Sequence, residues 1–134
     1  MIYLDSSAVM KLVRSENETE ALRRWLGAHR AESLVTSELG RVEVLRAARR
    51  VGEQALTQAH AVINSFDLIP LDRAVQDSAC GMGAAALRTL DSLHLASALL
   101  IKSDVTGFVS YDMRLAEAAA ETGLSVVAHG QADS

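Results

Sequence analysis

Short apolar runs alternate with longer segments of helical spacing along this chain, and the alternation restricts the folds open to it. The runs "IYL", "LVTS", "DLIPL", "GFVSYD" and "SVVA" are too short for buried helices and are rich in strand formers. Between them lie "SSAVMKLVR", "ENETEALRRWLGAHR", "ELGRVEVLRAARRV", "EQALTQAHAVINSF", "RAVQDSACGMGAAALR", "LDSLHLASALLIKS" and "MRLAEAAAETG", whose apolar residues recur at helical spacing. Strands separated by helices pair in parallel through crossovers. The expectation is a layered α/β fold with a short parallel sheet. The strands are apolar throughout, as strands covered on both faces must be.

At 134 residues the chain is expected to form one domain over 1–134, with a frayed tail at 129–134. Nearly half of it is hydrophobic, so it can bury a core without staples. The N-terminus lacks the basic segment and apolar run of a secretory signal. No stretch approaches the roughly 18 uncharged apolar residues that a membrane span requires. Cys80 is the only cysteine, which excludes an internal disulfide and a cysteine-based zinc site. A reducing, cytoplasmic location is the expectation. Cys80 itself, among small residues in "SACGMG", reads as a buried, inert thiol.

The net charge of −4 argues weakly against a nucleic-acid partner. Its distribution argues the other way. Eleven of the thirteen basic residues are arginine, and four, Arg41, Arg46, Arg49 and Arg50, fall within "RVEVLRAARR". Arginine suits phosphate better than lysine does; a solvated helix face would look the same.

The acids are more specific. Ligands of an open parallel sheet bind outside the carboxyl ends of its strands. Asp5 ends the first strand, Asp112 ends "FVSYD", and Asp91 opens the helix "DSLHLASALL". Taken singly, each is explained as a helix N-cap. Glu43 is not, because it lies in mid-helix. The apolar stripe of its helix centres on Val44, Ala47, Ala48 and Val51, with Glu43 at the margin and Glu38 on a solvated face with Arg49. A half-buried glutamate needs a partner, either an arginine such as Arg46 or a metal ion. Three Asp and one Glu are all oxygen donors, which suits Mg2+ or Mn2+. Without a cation such carboxylates raise one another's pKa values.

The segments "MIYLDSSAVMKL", "VTSELGRVEVLRA", "LDSLHLASAL" and "FVSYDMRLAEAAAETGL", in this order, resemble a PIN-domain ribonuclease of the VapC type, the toxin of a bacterial toxin–antitoxin pair. The resemblance runs from Met1 to about Val127. It implies a PIN-like three-layer sandwich, with about five parallel strands and helices on both sides. It implies that Asp5, Glu43, Asp91 and Asp112 are the catalytic, metal-holding acids, Glu43 acting directly or through water. Ser6 and Ser110 take the family's supporting hydroxyl positions. The implied activity is Mg2+- or Mn2+-dependent hydrolysis of RNA, such as tRNA or rRNA, leaving 5′-phosphate and 3′-hydroxyl ends. A VapB-type antitoxin and a homodimer are implied as well. Arg46 and Arg114 are the candidates for holding the RNA backbone.

Other residues have simpler readings. His94 reads as a hydrogen-bonded core or interface histidine, and Trp25 as a packing or partner-interface residue. Asp72 reads as a cap, Asp77 as a surface acid, and Lys11 as either a site partner or a surface residue. A receiver domain would need adjacent acids after the first strand and a late sheet lysine. A haloacid-dehalogenase-type phosphatase would need "DxDx[ST]" where this chain has "DSSAV". A non-catalytic RNA-binding or protein-interaction module on the same fold would be favoured by loss of one acid, and all four are present.

Overall fold

The computed structural model describes residues 1–127, so the expectation for 129–134 lies outside the described residues. The first strand, β1 (Ile2–Leu4), leads through Asp5 into α1 (Ser6–Val13) and α2 (Thr19–Ala28). Next come β2 (Leu34–Ser37), α3 (Glu38–Val51), α4 (Glu53–Ile63), β3 (Asp67–Ile69) and α5 (Arg73–Cys80). The chain continues with α6 (Thr89–Leu100), a short 3-10 turn (Lys102–Asp104), β4 (Gly107–Val109), α7 (Met113–Glu121) and β5 (Val126–Val127).

The five strands form one parallel sheet in the order β3-β2-β1-β4-β5. The order runs outward from β1 in one direction through β2 and β3, then reverses to β4 and β5. The reversal falls between β1 and β4, and in open parallel sheets ligands bind at the strands' carboxyl ends beside such a reversal. Strand alternation sends side chains to two separate cores. Ile2, Leu4 and Val109 pack with Ala8, Leu22, Val44, Ala48 and Ile63 from α1 to α4. Tyr3, Val35 and Phe108 pack with Val75, Leu95 and Leu115 from α5, α6 and α7. The result is the expected three-layer arrangement, and β1 is fully buried on both faces.

Several local expectations are corrected. The segment "RAVQDSACGMGAAALR" is not one helix. It stops at Cys80, and 81–88 is irregular, because Gly81 and Gly83 each cost a helix interior about 1 kcal/mol relative to alanine. Cys80 is consequently exposed at the end of α5 rather than buried. The buried stripe of α3 is Gly40, Val44 and Ala48, one turn earlier than the periodicity suggests. Val51 is 47% exposed, because α3 ends there and Gly52, at φ +149°, turns the chain into α4. Asp72 caps α5 as expected, by accepting from the Val75 N–H at 3.1 Å.

Candidate active site

Asp5 caps α1 and is also buried at the end of β1. Its Oδ1 accepts the Ala8 N–H at 2.9 Å and the Ser7 hydroxyl at 2.6 Å. Its Oδ2 accepts the Ser110 hydroxyl at 2.6 Å. Only 3% of the residue is exposed. Burial pushes the carboxyl pKa upward, while His94 and the donors from Ser110, Ser7 and Ala8 pull it back. Asp5 itself caps α1, and Ser7 holds the cap in place.

Two serines tie the ends of β1 and β4 together. Ser7 Oγ accepts the Tyr111 N–H at 2.9 Å while donating to Asp5. Ser110 Oγ accepts the Asp112 N–H at 3.1 Å while donating to Asp5. Of the two expected supporting hydroxyls, Ser110 therefore touches Asp5, whereas Ser6 lines an adjoining groove. Ser7 is the hydroxyl that motif reading passed over. Its signal was the D-x-S spacing at a helix start, where a serine reaches back to the cap.

Asp112 caps α7, its Oδ1 accepting from Arg114 N at 3.0 Å and Leu115 N at 3.2 Å. Asp91 does not cap. Helix α6 begins two residues earlier, at Thr89, with Arg88 in the cap position. Asp91 thus sits in the first turn, half-buried, and no described residue donates a hydrogen bond to it. Burial and then the Asp112 charge raise its pKa, with Asp5 adding to the effect; His94 and Arg88 oppose them. Asp5, Asp91 and Asp112 therefore share one electrostatic environment.

Glu43 is half-buried at the edge of α3, as its helical phase suggests. Its partner is neither Arg46 nor another described arginine. Oε1 lies 2.6 Å from His94 Nε2, and His94 Nδ1 lies 2.8 Å from the Tyr3 hydroxyl. His94 is thus the hydrogen-bonded core histidine expected from its apolar setting. Glu38, on the exposed face, accepts the Leu71 N–H at 2.8 Å.

The cations occupy two separate depressions. Arg46 and Arg50 line a groove with Ser6, Ser7 and Glu43. Arg114 lines another with Leu87, Glu117 and Glu121. Lys11 pairs with Glu18 at 2.9 Å and Glu16 at 3.3 Å, so it serves the surface rather than a site acid. Trp25 packs against His29, with ring centroids 4.5 Å apart.

Among the described residues, no group of three or more His, Cys, Asp or Glu closes into a cage for a metal ion. Asp5 and Asp112 each hold a helix cap. The donor chemistry nevertheless fits a hard divalent cation. The acids offer only oxygens, and their mutual repulsion at Asp91 is what a cation would relieve.

A model of the PIN domain matches residues 2–121. Ribonuclease VapC47 of Mycobacterium tuberculosis (strain CDC 1551 / Oshkosh) is 43% identical over 133 residues, covering 97% of this chain and 98% of that protein. Ribonuclease VapC35 of Mycobacterium tuberculosis (strain ATCC 25618 / H37Rv) is 41% identical over 134 residues, 98% of this chain and 99% of that one. Among solved structures, Mycobacterium tuberculosis VapC20, described as a sarcin-ricin loop cleaving toxin, superposes with a TM-score of 0.70 at 17% identity, covering 88% and 95% of the two chains. DNA-bound VapBC from Salmonella typhimurium gives 0.68 at 14% identity, covering 95% and 96%. These two structures bear on the fold. The family follows from the match over 2–121 and from the two ribonucleases similar along nearly their whole length: the chain belongs to the PIN-domain family, among its VapC-type members.

Proposed function

We propose that this protein is a Mg2+- or Mn2+-dependent endoribonuclease, the toxin of a toxin–antitoxin pair, which inhibits translation by hydrolysing RNA. The observation that carries the reading is the electrostatic coupling of Asp91 to Asp112 and Asp5, the two acids that follow the strands flanking the β1–β4 reversal. Similarity to ribonucleases VapC47 and VapC35 supports the RNA-cleaving activity.

Asp5, Asp91 and Asp112 would hold the cation, with Glu43 helping directly or through water. When bound, the cation lowers the pKa of water to supply a nucleophile and offsets negative charge developing on the phosphoryl oxygens. The chain's own residues prepare the site. Ser7 and Ser110 each donate to Asp5, so its carboxylate is oriented before substrate arrives. The α7 N-terminus fixes one oxygen of Asp112. Arg46, which lines a groove with Glu43, and Arg114, two residues after Asp112, would receive phosphates of the RNA backbone.

The partners we propose are a structured RNA such as tRNA or rRNA, a VapB-type antitoxin, and a second copy of the chain in a homodimer. Solved VapBC complexes of the same fold support the antitoxin. No helix among the described residues is long and apolar enough to cross a membrane, and the cytoplasm is the proposed location. Incubating the purified protein with total RNA tests the activity. Cleavage is expected with Mg2+ or Mn2+, ending in 5′-phosphates, and is expected to stop with EDTA. Cleavage that persists undiminished in EDTA would remove the metal-dependent mechanism.

A further inference from the structure

We propose that His94 is the positioning residue for Glu43, holding its carboxylate at the pocket edge through a hydrogen-bond chain anchored on Tyr3 in the central strand. The inference deepens the nuclease reading and rests on it, in that Glu43 is taken to serve that site.

Asp5 and Asp112 are oriented by the backbone amides of the helices they cap. Glu43 sits in mid-α3, where no such amides are available, because each is already used within the helix. Something else must fix its flexible side chain. Neither Arg46 nor any other described arginine pairs with it. The sole described donor to Glu43 is His94 Nε2, 2.6 Å from Oε1 and 51 residues away in sequence.

The chemistry gives the chain a direction. A carboxylate only accepts, so Nε2 carries the proton and donates to Glu43. In the neutral ring Nδ1 is then bare and accepts the Tyr3 O–H at 2.8 Å. The Tyr3 phenol is that donor, its O–H being the group that can be shared with a bare ring nitrogen. Both donors of the chain, the Tyr3 O–H and the His94 Nε2–H, thereby point toward Glu43.

The anchor is rigid. Tyr3 lies in register with Phe108 across β1 and β4, and the rings stack with centroids 5.3 Å apart and planes 1° from parallel. His94 is 2% exposed, on the same helix as Asp91 and three residues beyond it. At Gly40, α3 comes so close that an added Cβ would lie 3.2 Å from His94 Cε1. A histidine needed only for packing could satisfy its second nitrogen on a backbone carbonyl. This one spends it on a candidate site acid in mid-helix, where the backbone amides are already used.

The test compares the full-length protein with His94→Gln, His94→Leu and Tyr3→Phe. Glutamine keeps an N–H near the Nε2 position and leucine does not. His94→Leu should lose roughly 10–100-fold in Mn2+ affinity or in kcat, as removal of a partner that orients a metal ligand typically does. KM for RNA should change little, and His94→Gln should regain most of the loss. Carbon-13 relaxation of the Glu43 side chain, recorded without metal, should show it ordered in the wild type and His94→Gln and mobile in His94→Leu. Nitrogen-15 spectra should show His94 protonated at Nε2 and bare at Nδ1, with that preference relaxed in Tyr3→Phe. Equal Glu43 order in all variants, or equal losses for Gln and Leu, would overturn the proposal. A wild type that neither cleaves RNA nor binds Mn2+ would instead overturn the nuclease reading, and the relaxation data would still decide the role of His94.

Discussion

Ser110 Oγ donates to Asp5 Oδ2 at 2.6 Å, joining residues 105 apart in sequence across the point where the sheet reverses its strand order. The bond couples fold to site, because the hydroxyl that closes the β1–β4 junction also orients the most buried acid of the pocket.

Removing that hydroxyl leaves a buried carboxylate short of a donor. Ser110→Ala should therefore lose about 1.5–3 kcal/mol of stability, the usual size of a hydrogen bond to a charged group. Ser6→Ala should change stability by less than about 0.5 kcal/mol, as expected of a surface position. Urea denaturation of the two variants measures the difference, and equal losses would show that the Ser110 bond is not structural.

The acids set a pH dependence of definite sign. The pKa values of Asp5 and Asp91 are raised in the fold. Their contribution to stability is thus full below the unfolded carboxylate value of about 3.9 and is lost as pH rises through the folded values. In EDTA, Asp91→Asn should gain on the wild type as pH rises from 4 to 8. The expected gain in Tm is about 1–3 °C, a modest figure because Asp91 is only half-buried and solvent screens it. With Mn2+ the order should reverse, since the cation stabilises the ionised acids of the wild type. A Tm difference that is flat with pH in EDTA would contradict the electrostatic account.

Gly40 is required by space rather than by backbone conformation. An added Cβ would lie 2.6 Å from Thr36 Oγ1 and 3.2 Å from His94 Cε1. Thr36 is fully buried in β2 and β-branched, so it has little freedom to yield. Gly40→Ala should cost about 1–3 kcal/mol through overpacking, read by thermal or urea unfolding.

Helical phase separates the two glutamates of α3. Glu43→Gln should lower RNA cleavage by roughly 10-fold or more, the scale of a lost metal ligand or of a partner to one. Glu38→Gln should leave cleavage unchanged, since Glu38 only accepts the Leu71 N–H on an exposed face. Equal effects on initial rates would show the phase argument to be wrong.

Much of the arrangement was legible because it rests on local pattern. The alternation of "IYL" and "GFVSYD" with helices implied parallel strands. The positions of Asp5 and Asp112 after β1 and β4 followed from that pattern, and the half-burial of Glu43 from helix phase. What depends on tertiary contact was not legible. The start of α6 at Thr89, which makes Asp91 a first-turn acid rather than a cap, depends on the irregular 81–88 segment before it. The pairing of His94 with Glu43 joins two helices in three dimensions. A trace of it was present in Tyr3, the one hydroxyl in an otherwise aliphatic buried strand, which had to find a partner. Among the described residues, capping leaves Asp5 Oδ2 bound only by Ser110, so the observed cap does not rule out the proposed site role for the same carboxylate, an overlap that weighing them as alternatives hides.

The most direct test of the central claim compares RNA cleavage by the wild type and by Asp5→Asn at equal concentration in Mn2+. The substitution retains a capping side chain while removing the buried charge that the cation needs. The account predicts cleavage by the wild type and a loss of at least about 100-fold in the variant, the scale expected when a site's central electrostatic group is removed. Cleavage by folded Asp5→Asn at the wild-type rate would contradict it.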